Sequence, residues 1–116
     1  MVKFSWEEGD GKSLRSLRCS GHAGFEDGQG LDLVCAAVSA LTGALGLGFS
    51  RLLEVPHQIE VEHGLFQVGL LPDAESHPDW KAAQVLLQTT QMALLEMAEV
   101  YPGFITVDLG KEEIYE

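Results

Sequence analysis

His22 and Cys35 are the residues of this chain whose types and spacing could do covalent chemistry. They lie in SGHAGFEDGQGLDLVCAAVSAL, residues 20–41. The His closes a strand-like run, a glycine-rich loop follows, and the Cys falls in the first turn of an apolar helix. The thiolate is the nucleophilic form of cysteine, and both a helix N-terminus and a neighbouring imidazole favour it. The loop is long enough to fold back and set the imidazole beside the thiol. Such a pair supplies an activated nucleophile and a base that can later protonate a leaving amine. A free Cys more often fills a small apolar site, and a His at a strand end is often only solvated. Spacing alone therefore leaves both readings open.

Several neighbours could support such a pair. Asp32 stands where the helix begins. It can cap the first backbone N–H groups or orient His22, and Glu26 and Asp27 compete for the orienting task. Ser39, four residues after Cys35, shares its helical face. It can contact the reacting groups or bond back to the Cys35 carbonyl, the back-bond being the commoner use. The N–H groups at the helix start would supply an oxyanion site. Gly24, Gly28 and Gly30 make the loop a flexible substrate clamp or a plain connection.

Other chemistries find less support. His57, His63 and His77 have no metal-ligand spacing with one another or with the cysteines. Cys19 and Cys35 form no CxxC motif, and the glycine loop lacks the Lys-Ser/Thr of a phosphate loop. Leu41 stands where a cysteine phosphatase loop would need Arg. No metal or cofactor is expected.

The elements that must position the pair are legible from periodicity. Residues 2–7 alternate Val2, Phe4, Trp6 with Lys3, Ser5, Glu7, the pattern of a half-buried strand. Gly9-Asp10-Gly11 turns the chain into a second strand, residues 13–22. Leu17 and Cys19 share one of its faces, opposite Arg18, Ser20 and His22, and Leu14 breaks the phase as a bulge would. A helix over about residues 33–53 is apolar nearly all round in its first half and is expected to be buried there. Strands over 58–62 and 65–70 form a hairpin about Gly64. Ser76 is the expected cap of a second helix, whose buried stripe runs Trp80, Ala83, Leu87, Thr90, Leu94, Met97, Tyr101. Pro102-Gly103 stops it, a strand follows over 104–109, and the acidic tail from Lys111 frays. The order is ββαββαβ, an α+β fold in one domain spanning 1–116: a mixed sheet of about five strands with two long helices packed on it. Fully covered sheet faces, with Trp80, Met92 and the Gly-rich half of the first helix, would suggest a dimer.

Charge and composition bound the partners. Seven Lys and Arg against 18 Asp and Glu leave a formal charge of −11. That surface repels phosphate backbones, which argues against direct nucleic-acid binding, and attracts cationic partners. Two cysteines suit a reducing compartment. No stretch reads as long and apolar enough to span a bilayer, and the N-terminal residues lack an apolar signal core, so a cytoplasmic protein is expected.

GHA at 21–23 followed by G-x-D-x-V-C-A-A-V-S-x-L at 30–41 resembles the ribosomal-processing cysteine protease family, called Prp. Element lengths and order resemble that family over the whole chain. Two departures stand out: the loop is about one residue longer, and Leu33 replaces a commoner Ile, a volume-conserving swap. The resemblance implies a cytoplasmic bacterial endopeptidase, generally homodimeric. It would remove a short N-terminal extension from a large-subunit ribosomal protein of the L twenty-seven type, cutting after an aromatic residue. It places the catalytic His on His22, the nucleophile on Cys35, the acidic motif residue on Asp32 and the motif Ser on Ser39, with a loop that moves on binding substrate. The acidic chain suits a cationic ribosomal segment, which could be held at a free sheet edge near His22. Two rivals remain at this level. One is a ribosome assembly factor that binds the same peptide without cutting. The other is a thiol redox sensor resolving Cys35 with Cys19, made awkward by the expected placement of Cys19 on the strand face opposite His22.

Overall fold

The computed structural model describes residues 1–21 and 33–108. The chain forms β1 (Val2–Glu8), β2 (Leu14–Ser20), α1 (Leu33–Leu47), β3 (His57–Glu62), β4 (Leu65–Leu70), α2 (Trp80–Val100) and β5 (Ile105–Val107). The sheet order is β3-β4-β2-β1-β5. Among the described residues only the β1–β5 pair is parallel. This is the expected α+β arrangement, a mixed five-stranded sheet with two helices.

Strand alternation sorts the sheet into two unlike faces. Val2, Phe4, Leu17, Cys19, Phe66, Val68 and Ile105 are buried on one side. Their registers agree: Phe4 pairs with Cys19, Cys19 with Phe66, Leu17 with Val68 and Val2 with Ile105. The other face carries Lys3, Ser5, Glu7, Ser16, Arg18, Gln67 and Glu60. It is tied by polar pairs, Arg18 Nη1 donating to Gln67 Oε1 at 2.8 Å and Ser16 Oγ to Glu7 Oε1 at 3.3 Å. Both helices lie on the apolar face, so the condition of fully covered faces that would suggest a dimer is not met by this chain's own helices. A half-polar alternation supplies only one face worth burying.

The bulge foreshadowed by Leu14 is present. The β1–β2 register shifts between Glu7 and Glu8, and Leu14 turns inward beside Leu17 and Cys19. Its open backbone groups are met by a buried side chain. Gln84 Oε1 accepts from Leu14 N at 2.8 Å, and Gln84 Nε2 donates to Leu14 O at 2.9 Å. A bulge leaves ladder groups unpaired, and a buried amide has the one acceptor and one donor they need.

α2 keeps its predicted stripe through Ala83, Leu87, Thr90 and Leu94, all buried. Tyr101 falls outside it, 43% exposed at the helix end. Ser76 is not the cap: its hydroxyl donates to Asp73 O, within a short 3-10 turn (Pro72–Ser76). Asp79 occupies the cap position, and its carboxylate instead accepts from Glu54 N at 2.7 Å, tying α2 to the end of the first helical segment. Pro72 and Pro78 bracket the segment and set the shorter turn.

The first helix departs most from expectation. Its α portion ends at Leu47 and a π-helical turn, Gly48–Leu52, completes it. Gly48 lies so close to α2 that a Cβ would meet Leu86 Cδ1 at 2.8 Å. Of its α portion only Val38, Thr42 and Leu45 are buried, while Leu33 is 78% exposed. An apolar sequence does not by itself bury a helix; the sheet is only wide enough to cover one face of it. Leu33–Leu52 is also long and apolar enough to cross a bilayer by length and composition, which corrects the expectation that no such stretch exists. In the fold its Phe49 is fully buried, with its ring edge-on to His57 at 5.1 Å.

Candidate active site

A cleft of about 570 Å³ opens between α1 and the β3–β4 side of the sheet. Its helical wall is made of Cys35, Ser39, Gly43, Gly46 and Ser50. These recur at steps of three and four, so one face of α1 and of the π-helical turn that continues it supplies them all. Its sheet wall is Cys19, Ile59, Val61 and Phe66, and its rim holds Gly21, Glu62, His63 and Gly64. The small residues on α1 keep the helix wall low. A Cβ on Gly43 would meet nothing within 4 Å, whereas one on Gly46 would touch Ile59 and Phe66 at 3.4 Å. The cleft is thus tighter at Gly46 than at Gly43.

Cys35 is the third residue of α1, half-buried, with a free thiol facing this cleft. In that first turn, backbone N–H groups lack helical partners and the peptide dipoles favour negative charge. No acidic side chain within the first turn opposes them.

Gly21 holds the opposite rim. It adopts φ +91, and a Cβ there would meet Met1 O at 2.5 Å, so only glycine fits. Its N–H donates to Gly64 O at 2.8 Å, which anchors the end of β2 to the β3–β4 turn. This junction fixes where the chain leaves the sheet, one residue before His22. His22, Asp32, Gly24, Gly28 and Gly30 lie outside the described residues. Of the residues singled out by sequence, Cys35 and Ser39 are brought together on the cleft.

Ser39 does not bond back as expected. Among the described residues its hydroxyl has no partner, and it stands exposed on the cleft wall. The back-bonds belong instead to Thr42 Oγ1, donating to Val38 O at 3.0 Å, and Ser50 Oγ, donating to Gly46 O at 2.6 Å. Thr42 is buried and must satisfy its hydroxyl locally; Ser39 faces water and need not.

Cys19 brings a correction. Alternation does put it on the inward face of β2, but α1 covers that same face, so Cys19 and Cys35 line one cleft. Both thiols are free. They differ in environment: burial pushes the Cys19 thiol up from 9.0 to about 12, keeping it protonated and unreactive near neutral pH. Cys19 is suited to packing, and Cys35 to reacting.

His63 was set aside in sequence because it lacked metal-ligand spacing. The hairpin turn nevertheless carries it to the cleft rim. Nothing in its local sequence signals this, because the cleft is assembled from elements distant along the chain. Among the described residues no cluster of His, Cys, Asp and Glu could hold a metal ion.

Comparison with known proteins adds the family and fold that the chain resembles. The sequence model of the family described as cysteine protease Prp matches residues 1–106. Among solved structures, the chain is similar to an essential ribosomal processing protease Prp from S. aureus in complex with a covalently linked product peptide. That match has TM-score 0.76 and 24% identity over 94% of this chain and 99% of that one. It is also similar to SMU.848 from Streptococcus mutans, with TM-score 0.71 and 26% identity over 94% and 96% of the two chains. No curated protein sequence matches significantly.

Proposed function

The chain belongs to the Prp family of cysteine proteases, and we propose that it is a ribosomal-processing endopeptidase with Cys35 as nucleophile and His22 as general base. Its substrate in this reading is the N-terminal extension of a large-subunit ribosomal protein of the L twenty-seven type, cut after an aromatic residue. The carrying observation is the placement of Cys35 in the first turn of α1, open to a cleft whose far rim is Gly21, the residue before His22. A similar S. aureus structure holds a substrate peptide, which supports a polypeptide in the corresponding place here.

The chemistry follows from these parts. His22 takes the Cys35 proton as the sulfur adds to the scissile carbonyl. The N–H groups at the start of α1 donate hydrogen bonds to the resulting oxyanion. The imidazolium then protonates the departing amine, leaving a thioester on Cys35. A water that gives its proton to His22 hydrolyses the thioester, releases the carboxylate product and restores the thiol. Asp32 caps α1 or orients His22, and Ser39, on the cleft wall, bonds the acyl portion of substrate. Gly24, Gly28 and Gly30 let the intervening loop clamp the bound segment.

The same reading places the protein in the cytoplasm, uses no cofactor, and makes it a homodimer. Leu33, exposed at the start of α1, and Met92, exposed on α2, support a second copy covering them. Sedimentation equilibrium checks this; a monomer at micromolar concentration removes the dimer.

The test is mass spectrometry of a peptide spanning the extended N-terminus of the host's ribosomal protein, incubated with wild type and with Cys35→Ala. One cut by wild type alone is expected. A peptide bound but left intact by both proteins replaces this reading with a non-catalytic assembly factor.

A further inference from the structure

β3 is an edge strand left in pairing condition. It lies at the end of the order β3-β4-β2-β1-β5, and among the described residues no strand pairs with its outer side. Proteins usually blunt such an edge with a bulge, a proline, charged side chains or a covering element. β3 carries charge at Glu60 and Glu62 but no bulge or proline within its span: its register with β4 runs unbroken from His57↔Leu70 to Glu62↔Leu65. Ile59 and Val61 remain 37% and 67% exposed on the cleft side.

The ladder shows which backbone groups are available. Leu71 N donates to Pro56 O at 3.1 Å, so the Pro56–Leu71 pair is a hydrogen-bonded one. Antiparallel pairs alternate between bonded and non-bonded. Gln58, Glu60 and Glu62 therefore bond to β4, while His57, Ile59 and Val61 aim their N–H and C=O groups at the open edge. The Gly21–Gly64 bond on the other side of β4 gives the same phase.

We infer that the free edge of β3 receives the polypeptide substrate as a sixth strand, paired to the main chain of His57, Ile59 and Val61, and so feeds the scissile bond to Cys35. This rests on the protease reading above. The sequence alone suggests such an edge near His22, but the strand leading there, β2, is internal. Two observations select this occupant for β3. The edge is continuous with the Cys35 cleft, since Ile59 and Val61 line that cleft. Charge also fits: Glu60 and Glu62 stand on the outer face of β3 in a chain of net charge −11. An added strand would alternate its side chains, apolar ones entering the cleft beside Ile59 and Val61, basic ones passing Glu60 and Glu62.

The experiment uses the full chain with Cys35→Ala and the ribosomal N-terminal peptide as probe, read by amide hydrogen exchange and by binding of singly N-methylated peptides. Excess peptide should slow exchange at Ile59 and Val61 by about tenfold or more. N-methylation should weaken binding by about tenfold at alternate peptide positions and leave the intervening ones within about threefold, the signature of strand pairing. Ile59→Pro, which removes an outward N–H without touching the β4 ladder, should raise KM with little change in kcat. A peptide that wild type cuts, but that leaves these amides unprotected and shows no alternation, overturns this inference alone. Protection already present without peptide, from a second copy or from the chain itself, also overturns it. A peptide neither bound nor cut overturns both this inference and the reading beneath it.

Discussion

α1 and α2 lie on the same face of the same sheet, yet one is built to pack and the other to stand open. α2 buries a continuous stripe through Ala83, Leu87 and Leu94 and uses Gln84 to satisfy the bulge at Leu14. α1 is the more apolar of the two in sequence, but it buries only Val38, Thr42 and Leu45 and gives Cys35, Ser39 and Gly43 to a cleft. Total hydrophobicity therefore does not say which helix is core. What decides is whether side chains large enough to reach the sheet recur on one face, as they do in α2, or small residues leave a gap, as in α1.

The contrast can be broken most severely at the cleft. Cys35→Ser should cut the cleavage rate by about 10³-fold or more while leaving the melting temperature nearly unchanged. Equal turnover by the variant would end the nucleophile assignment. His22→Ala should cost about 10²- to 10⁴-fold and suppress alkylation of Cys35 at neutral pH, whereas His63→Ala should stay within about threefold. The reverse ranking would move the base to the hairpin turn. On the α2 side the effects should fall on stability instead. Leu87→Ala should cost about 2–5 kcal/mol in denaturant unfolding, since Leu87 is fully buried.

Alkaline titration tests the burial of Cys19. Burial raises the folded-state value of Cys19 from 9.0 to about 12. The folded form then holds its proton where the unfolded form loses it. The stabilisation is complete below about pH 9 and lost progressively as pH rises toward about 12. Stability measured over that window should fall with pH in wild type and fall less in Cys19→Ala. The smallest effects should come from two glycines. Gly43→Ala meets open space and should stabilise by about 1 kcal/mol, the helix-propensity difference. Gly48→Ala should destabilise, because its Cβ would meet Leu86 at 2.8 Å.

Much of the fold was legible because its signals are local. The 65–70 strand, the α2 stripe, the bulge at Leu14 and the stop at Pro102-Gly103 each follow from a few adjacent residues. The errors share a different cause. The burial of α1, the shared cleft of Cys19 and Cys35, and the rim position of His63 all depend on which element packs over which. The cap of α2 failed for a related reason: Asp79 is engaged by Glu54, a partner distant along the chain. Of the candidate site, Cys35 and Ser39 were found from spacing, because four residues on a helix define one face.

By itself the sequence determined the element order, the inward and outward faces of the central strands, and a helix that begins just before a cysteine. These are properties of neighbouring residues, written in periods of two and 3.6. Only the tertiary structure decided that α1 sits over β3 and β4 with a gap beneath it, that Cys19 shares that gap, and that β3 is left as an open edge beside it. Those outcomes depend on side-chain volumes and strand order across the whole sheet, and no local pattern encodes them.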